Sequence, residues 1–88
     1  MRSVIIDLTG PKSRQEIQEL LAEKLAFPSY YGMNLDALAD SLWEVETPAG
    51  IYLLTDKEPS SYVKTVVGIF RETEEARRSF FVYVQQAE

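Results

Sequence analysis

Apolar positions along the chain follow two rhythms, separated by Gly and Pro breaks at Gly10-Pro11, residues 28–32, residues 48–50 and Pro59. Val4-Ile5-Ile6-Asp7-Leu8 is a short β-branched run, which predicts a strand buried on both faces. Over residues 13–26, Ile17, Leu20, Leu21 and Leu25 recur at helical spacing. Ser13 and Glu16 form an S-x-x-E capping box, so chemistry as well as periodicity fixes that helix start. A second helix is predicted from an Asn34 N-cap to about Val45, and residues 51–54 read as a second strand. Tyr62, Val63, Val66, Val67, Ile69 and Phe70 fall at helical intervals in a segment running to about Arg78. Its β-branched content lowers helix propensity, so packing must hold it. Phe80-Phe81-Val82-Tyr83-Val84 closes the chain as a third strand. No repeat, low-complexity tract or linker intervenes. The order strand, helix, helix, strand, helix, strand predicts one α/β domain over residues 1–88, a small parallel sheet with helices on both faces and right-handed crossovers.

Length and composition narrow the functions such a domain can carry. A chain of 88 residues buries only about 60–65% of its unfolded surface, so a deep substrate cavity would compete with a thin core. Its 45% hydrophobic and 26% charged residues are those of a folded globule rather than a disordered segment. The net charge of −5 argues against nucleic acid or an anionic membrane as ligand and suggests a basic partner; acidity serving only solubility is the plainer alternative. The sequence holds no Cys and no His. That excludes disulfides, thiolate nucleophiles, CxxC zinc ribbons, Ser-His-Asp triads and HExxH sites. Carboxylates, Lys and Tyr are what remain for chemistry. The opening MRSVIIDLTG does not read as a signal peptide, because its apolar run is short and Asp7 interrupts it. No apolar stretch approaches the roughly 18 residues that span a bilayer, so a cytoplasmic protein without a cofactor is expected.

The charge is unevenly placed. Residues 25–56 contain five acids, Asp36, Asp40, Glu44, Glu46 and Asp56, and no Lys or Arg. On a helical wheel Asp36, Asp40 and Glu44 share one stripe, and Leu35, Leu38, Leu42 and Val45 lie roughly opposite. Trp43, the single Trp, falls at the edge of the acidic stripe. Like charges at i, i+4 and i+8 cost a helix about 0.2–0.5 kcal/mol per pair. Asp36 recovers some of this near the positive helix N-terminus, whereas Glu44 sits near the negative end. A stripe so costly to the helix suits an external partner better than it suits a merely solvated face. Three carboxylates along one helix cannot converge on a cation without other ligands. In the preceding Ser29-Tyr30-Tyr31-Gly32, two adjacent tyrosines cannot both enter so small a core, so at least one is expected outside beside the acids. The other could pack on Phe27, and Gly32 is expected to supply a positive φ. Aromatics beside unpaired carboxylates have the makings of an interface for a basic protein.

Tyr30-Tyr31-Gly32-Met33-Asn34-Leu35-Asp36-Ala37-Leu38, followed by Asp40 and Leu42, resembles the YYGxNLDAL…D signature of the barstar family, intracellular inhibitors of barnase-type secreted ribonucleases. Leu25-Ala26-Phe27-Pro28 and Phe70-Arg71-Glu72 resemble the family pattern as well, so the resemblance covers essentially the whole chain. It implies a three-layer α/β/α sandwich whose second helix and preceding loop plug a ribonuclease active site. Tyr30, Tyr31, Asn34, Asp36 and Asp40 match family contact positions, and Asp40 would stand in for a substrate phosphate among the enzyme's Arg and Lys side chains. Glu72 matches a further acidic contact. The family's helical Trp before the key Asp is Ala39 here, a second acidic contact on the later helix is Ala76, and the segment after Asp40 is one residue shorter. The stretch between Leu54 and Phe70 is short for the family's additional helix, which is expected to shrink to a turn around Pro59.

These readings converge on a stoichiometric immunity protein or antitoxin against a basic nuclease, bound one to one. Its partner-binding residues would be Tyr30, Tyr31, Asn34, Asp36, Asp40, Trp43, Glu44 and Glu72. A barstar-like module against a toxin other than a barnase-type enzyme is the alternative. Asp40-Ser41-Leu42 also spells the motif of acyl carrier proteins, but those resemble all-helical bundles with the Ser at a helix start, and here Ser41 is mid-helix. An enzyme using the Asp36/Asp40 or Asp40/Glu44 pair would need the two acids to flank a cleft, which a convex helix face does not offer.

Overall fold

The direction in which the strands follow one another across the sheet decides the architecture. The computed structural model describes residues 2–87, in the order β1 (Arg2–Asp7), α1 (Arg14–Lys24), α2 (Leu35–Leu42), β2 (Ala49–Thr55), α3 (Ser61–Ala76) and β3 (Phe80–Gln86). The strands form one sheet in the order β1-β2-β3, parallel throughout. Both crossovers therefore step the same way, and right-handed crossovers stepping the same way lay their helices on the same face. Burial agrees. Val4 and Ile6 of β1, Ile51 and Leu53 of β2, and Phe80 and Val82 of β3 are buried, while Ile5, Tyr52, Phe81 and Tyr83 between them are exposed.

The expected α/β domain, three parallel strands with helices packed on them, is what forms. The expected third layer does not form, nor is the first strand buried on both faces: Ile5 is 63% exposed. Covering the second face would require the strand order to reverse direction, as in doubly wound sheets, and here it never does. The core is a single cluster between the sheet and the helices, with Leu8, Ile17, Leu21, Leu38, Leu42 and Phe70 almost fully inaccessible.

The helix ends are locally determined. Ser13 Oγ accepts from the Glu16 N–H and Glu16 Oε1 from the Ser13 N–H, both at 3.0 Å, completing the expected capping box. Ser60 caps α3 by accepting from the Val63 N–H at 3.2 Å. Residues 56–60 contain no helix, in line with the expected turn around Pro59. At the end of α1, the Phe27 N–H reaches the Ala22 carbonyl at 2.9 Å and the Ala26 N–H the Glu23 carbonyl at 3.3 Å. This is the paired bonding of a Schellman motif, and it places Ala26 at φ 55°, a position usually held by Gly. No described helix is long and apolar enough to cross a membrane.

The free edge of β3 is occupied by side chains of α3. Glu74 Oε2 accepts from the Val82 N–H at 2.6 Å, and Arg71 Nη1 donates to the Val82 carbonyl at 2.9 Å. The two side chains also pair with each other at 3.2 Å. Together they take the place of a neighbouring strand at that residue.

Ala26→Gly is expected to stabilise the protein by about 1 kcal/mol, because a left-handed backbone strains any residue with a Cβ. A rise in the urea midpoint at unchanged slope would show it; an unchanged or lower midpoint would refute the strain argument.

Candidate protein-binding surface

The second helix is held at both ends by groups that leave its outer face bare. Asn34 adopts an extended backbone, and its Oδ1 accepts from the Ala37 N–H at 2.7 Å while its Nδ2 donates to the Gly32 carbonyl at 3.2 Å. The Asn34 side chain is thus engaged in building the helix start. The expected positive φ at Gly32 is not found; Met33 takes it instead, at 55°. Gly32 is small for a different reason, since a Cβ there would lie 3.2 Å from that of Ala37.

The helix ends at Leu42, three residues before the expected limit. Trp43 is the C-cap, with its N–H directed to the Asp40 and Ser41 carbonyls, and the Glu44 N–H reaches the Ser41 carbonyl at 3.0 Å. This tightened turn puts Glu44 beyond the helix rather than on it. It nevertheless keeps Glu44 on the same side, because a tightened turn nearly continues the helical rotation. At this negative end, Arg77 Nη1 donates to the Leu42 carbonyl at 2.6 Å, a cation supplied from just after α3 to a helix whose last turn holds none.

The loop ahead of α2 is pinned by a buried amide. Gln18, 1% exposed, accepts through Oε1 from the Tyr31 hydroxyl and donates through Nε2 to the Tyr62 hydroxyl at 2.8 Å. One side chain of α1 thereby joins the loop to α3. Tyr31 is 8% exposed and packs on Phe27, ring centres 4.7 Å apart at 42°, while Tyr30 is 83% exposed. The expected division of the tyrosine pair is therefore present, with Tyr30 outward. Burial pushes the Tyr31 phenol up to about 12, with the neighbouring Tyr62 adding to the effect.

Tyr30, Tyr31, Asp40 and Glu44 border one shallow groove of about 210 Å³ between this loop and α2, closed by Gly32 and Ser41. No Lys or Arg lines it. Asp36 lies exposed in the first turn of α2, Trp43 is 51% exposed at its end, and Glu72 is exposed on α3, which packs against α2; none of the three lines the groove. A larger hollow of about 700 Å³, bordered by Thr55, Lys57, Lys64 and Val84, holds none of the candidate residues. Among the described residues no group of three or more acids is placed to hold a metal ion.

Two positioning residues lie outside the sequence reading. Gln18 stands three and seven residues before Leu21 and Leu25, a polar residue inside the apolar stripe of α1, and that spacing is its visible signal. Arg77 carries none, because its partner is a carbonyl 35 residues away.

The sequence profile of the Barstar (barnase inhibitor) family matches residues 1–85. A Bacillus subtilis (strain 168) protein named "Putative ribonuclease inhibitor YrdF" is 34% identical over 87 residues, spanning 92% of this chain and 94% of its own.

The Tyr31 phenol gives the loop a pH signature. Its folded pKa of about 12 lies above the ordinary 10.0, so its contribution to stability is whole below about pH 10 and is lost as pH rises through 12. Tyr31→Phe should cost about 1–2 kcal/mol at neutral pH by leaving Gln18 Oε1 unpaired, and the difference from the parent should shrink above pH 10. A difference independent of pH in denaturant titrations would remove Tyr31 from this role.

Proposed function

The chain belongs to the barstar family, and from that premise we propose that it is a stoichiometric inhibitor of a basic secreted ribonuclease, protecting the cytoplasm of the cell that makes it. The observation that carries this reading is the groove shared by Tyr30, Tyr31, Asp40 and Glu44, with no cation among its lining residues. A ribonuclease active site must present Arg and Lys to hold phosphate, and a groove edged by carboxylates is its electrostatic complement. Asp40 stands where a substrate phosphate would, and Asp36 extends the negative field along α2. Tyr30 and Trp43 supply exposed aromatic area flanking these acids, and Tyr31 backs the groove. Asn34 acts by fixing the start of α2, and Glu72 widens the acidic surface from α3.

Preorganisation supports an inhibitory plug more than a flexible ligand. The acids sit on an element closed by Asn34 at one end and Arg77 at the other, so docking orders little that was free. No chemistry of the chain's own is required, and the exposed acids flank a shallow groove rather than the cleft that carboxylate catalysis needs. One feature favours a cognate enzyme distinct from barnase: Ala39 replaces the family's Trp, while Trp43 offers its ring at the far end of the helix, 51% exposed. Apolar contact is thereby displaced along α2, which fits a differently shaped active-site rim.

Mixed with a barnase-type ribonuclease, the protein should abolish RNA cleavage at a one-to-one ratio. Asp40→Ala should weaken the complex by at least about 2 kcal/mol, roughly 30-fold. Unchanged affinity in calorimetry would take Asp40 out of the centre of the interface. Stopped-flow association should slow as salt rises, since screening shortens the reach of exposed charges to about 8 Å at 0.15 M. An association rate indifferent to salt would refute electrostatic steering.

A further inference from the structure

The sheet face that no helix covers is apolar and nearly uncharged. Strand register sets Ile5, Tyr52 and Tyr83 side by side across all three strands, with Phe81 two residues before Tyr83 on the same face. These four side chains are 63%, 38%, 47% and 42% exposed, in the order Ile5, Tyr52, Tyr83 and Phe81. The Tyr52 and Tyr83 rings stack at 4.8 Å and 19°, forming a flat aromatic plate rather than scattered surface residues. Parallel sheets ordinarily have both faces covered, and α1, α2 and α3 all lie on the other side.

The charge pattern says what kind of partner fits. The chain as a whole carries −5, yet among the described residues the one acid on this face is Asp7. Its carboxylate is engaged by the Thr9 N–H at 2.9 Å and by the Thr9 hydroxyl. A basic protein or a nucleic acid finds nothing here to pair with. A flat neutral apolar plate is complementary to another such plate, and a second copy of this chain supplies one. We propose that the protein self-associates through this face as a sheet-to-sheet dimer with twofold symmetry, independently of how it binds a ribonuclease.

Area, edge chemistry and repulsion are all compatible with that occupant. With aromatic side chains burying about 150–250 Å² each, the four residues expose on the order of 400 Å². With the smaller side chains of the face, roughly 1,100 Å² would be buried in total, just above the threshold of about 1,000 Å² for specific interfaces. The dimer is accordingly weak and concentration-dependent. Association through the β3 edge is disfavoured, because Glu74 and Arg71 already occupy the outward N–H and carbonyl of Val82. The acids of α2 belong to the helix layer on the far side of each sheet. The sheet-to-sheet spacing alone, about 10 Å, exceeds the Debye length of about 8 Å in physiological salt, so these acids repel across the dimer only weakly.

Sedimentation velocity and amide NMR spectra of the full chain, at about 1 µM and about 200 µM, bracket the affinity expected of so small an interface. The mass should rise toward that of two chains at the higher concentration, with amide shifts at Ile5, Tyr52, Phe81 and Tyr83 and none at Asp36 or Asp40. Ile5→Lys and Tyr83→Glu should each hold the protein at single-chain mass without altering its far-ultraviolet circular dichroism. Should either variant fail to fold, the concentration-dependent shifts of the parent still decide. A single-chain mass at about 200 µM, or shifts confined to α2 or to the strand edges, would overturn the proposal.

Discussion

A single buried amide holds the parts of this domain in relation to one another. Gln18 is inaccessible to water, so each of its polar atoms must find a partner inside or incur the full cost of desolvation. It finds the hydroxyls of Tyr31 and Tyr62, and in doing so joins α1, the loop before α2 and the first turn of α3. A core made only of aliphatic contacts would tolerate sliding among these three segments. Two directional bonds from one side chain do not, and half-satisfaction is penalised more than absence. The position of Tyr31 follows from Gln18, and the outward placement of Tyr30 follows from that of Tyr31.

The same logic of fixed ends governs α2. Eight residues make a helix too short to persist in isolation, yet this one carries the acids that define the surface. Its stability is borrowed from Asn34, from the buried Leu38 and Leu42, and from Arg77 reaching its last carbonyl. None of these contacts involves the outward carboxylates. The supporting interactions and the presented surface are thus built from different residues, so a change in an outward carboxylate leaves the mounting intact.

Much of this was legible in the order of residues. The capping box at Ser13 and Glu16, the Asn34 cap, the six-element order and the family pattern from Tyr30 to Asp40 are all local signals. What escaped was non-local or depended on a sign. Alternation of strands and helices does not say whether successive strands step one way or reverse, so it specifies the α/β class but not the number of layers. The C-terminus of α1 carries no Gly to mark it, because Ala26 adopts the backbone conformation that Gly usually supplies there. Helical spacing puts Glu44 on α2, which stops two residues short of it, yet Glu44 still borders the same groove as Asp40. Arg77 had no visible partner, and Asn34 and Tyr31 turned out to be occupied in holding the loop and helix start in place.

The clip of Arg71 and Glu74 on Val82 has a further consequence. Strand β3 is rich in aromatic and β-branched residues, the composition of segments that template fibrils when their outer hydrogen-bonding groups are free. Its outward groups fall on alternate residues, Phe80, Val82, Val84 and Gln86, and the clip sits on Val82. Growth of a continuous cross-β ladder requires consecutive outward pairs, so one blocked pair within the strand interrupts the template. The ion pair at this sheet margin therefore does more than tie α3 to β3: it guards the strand against polymerisation.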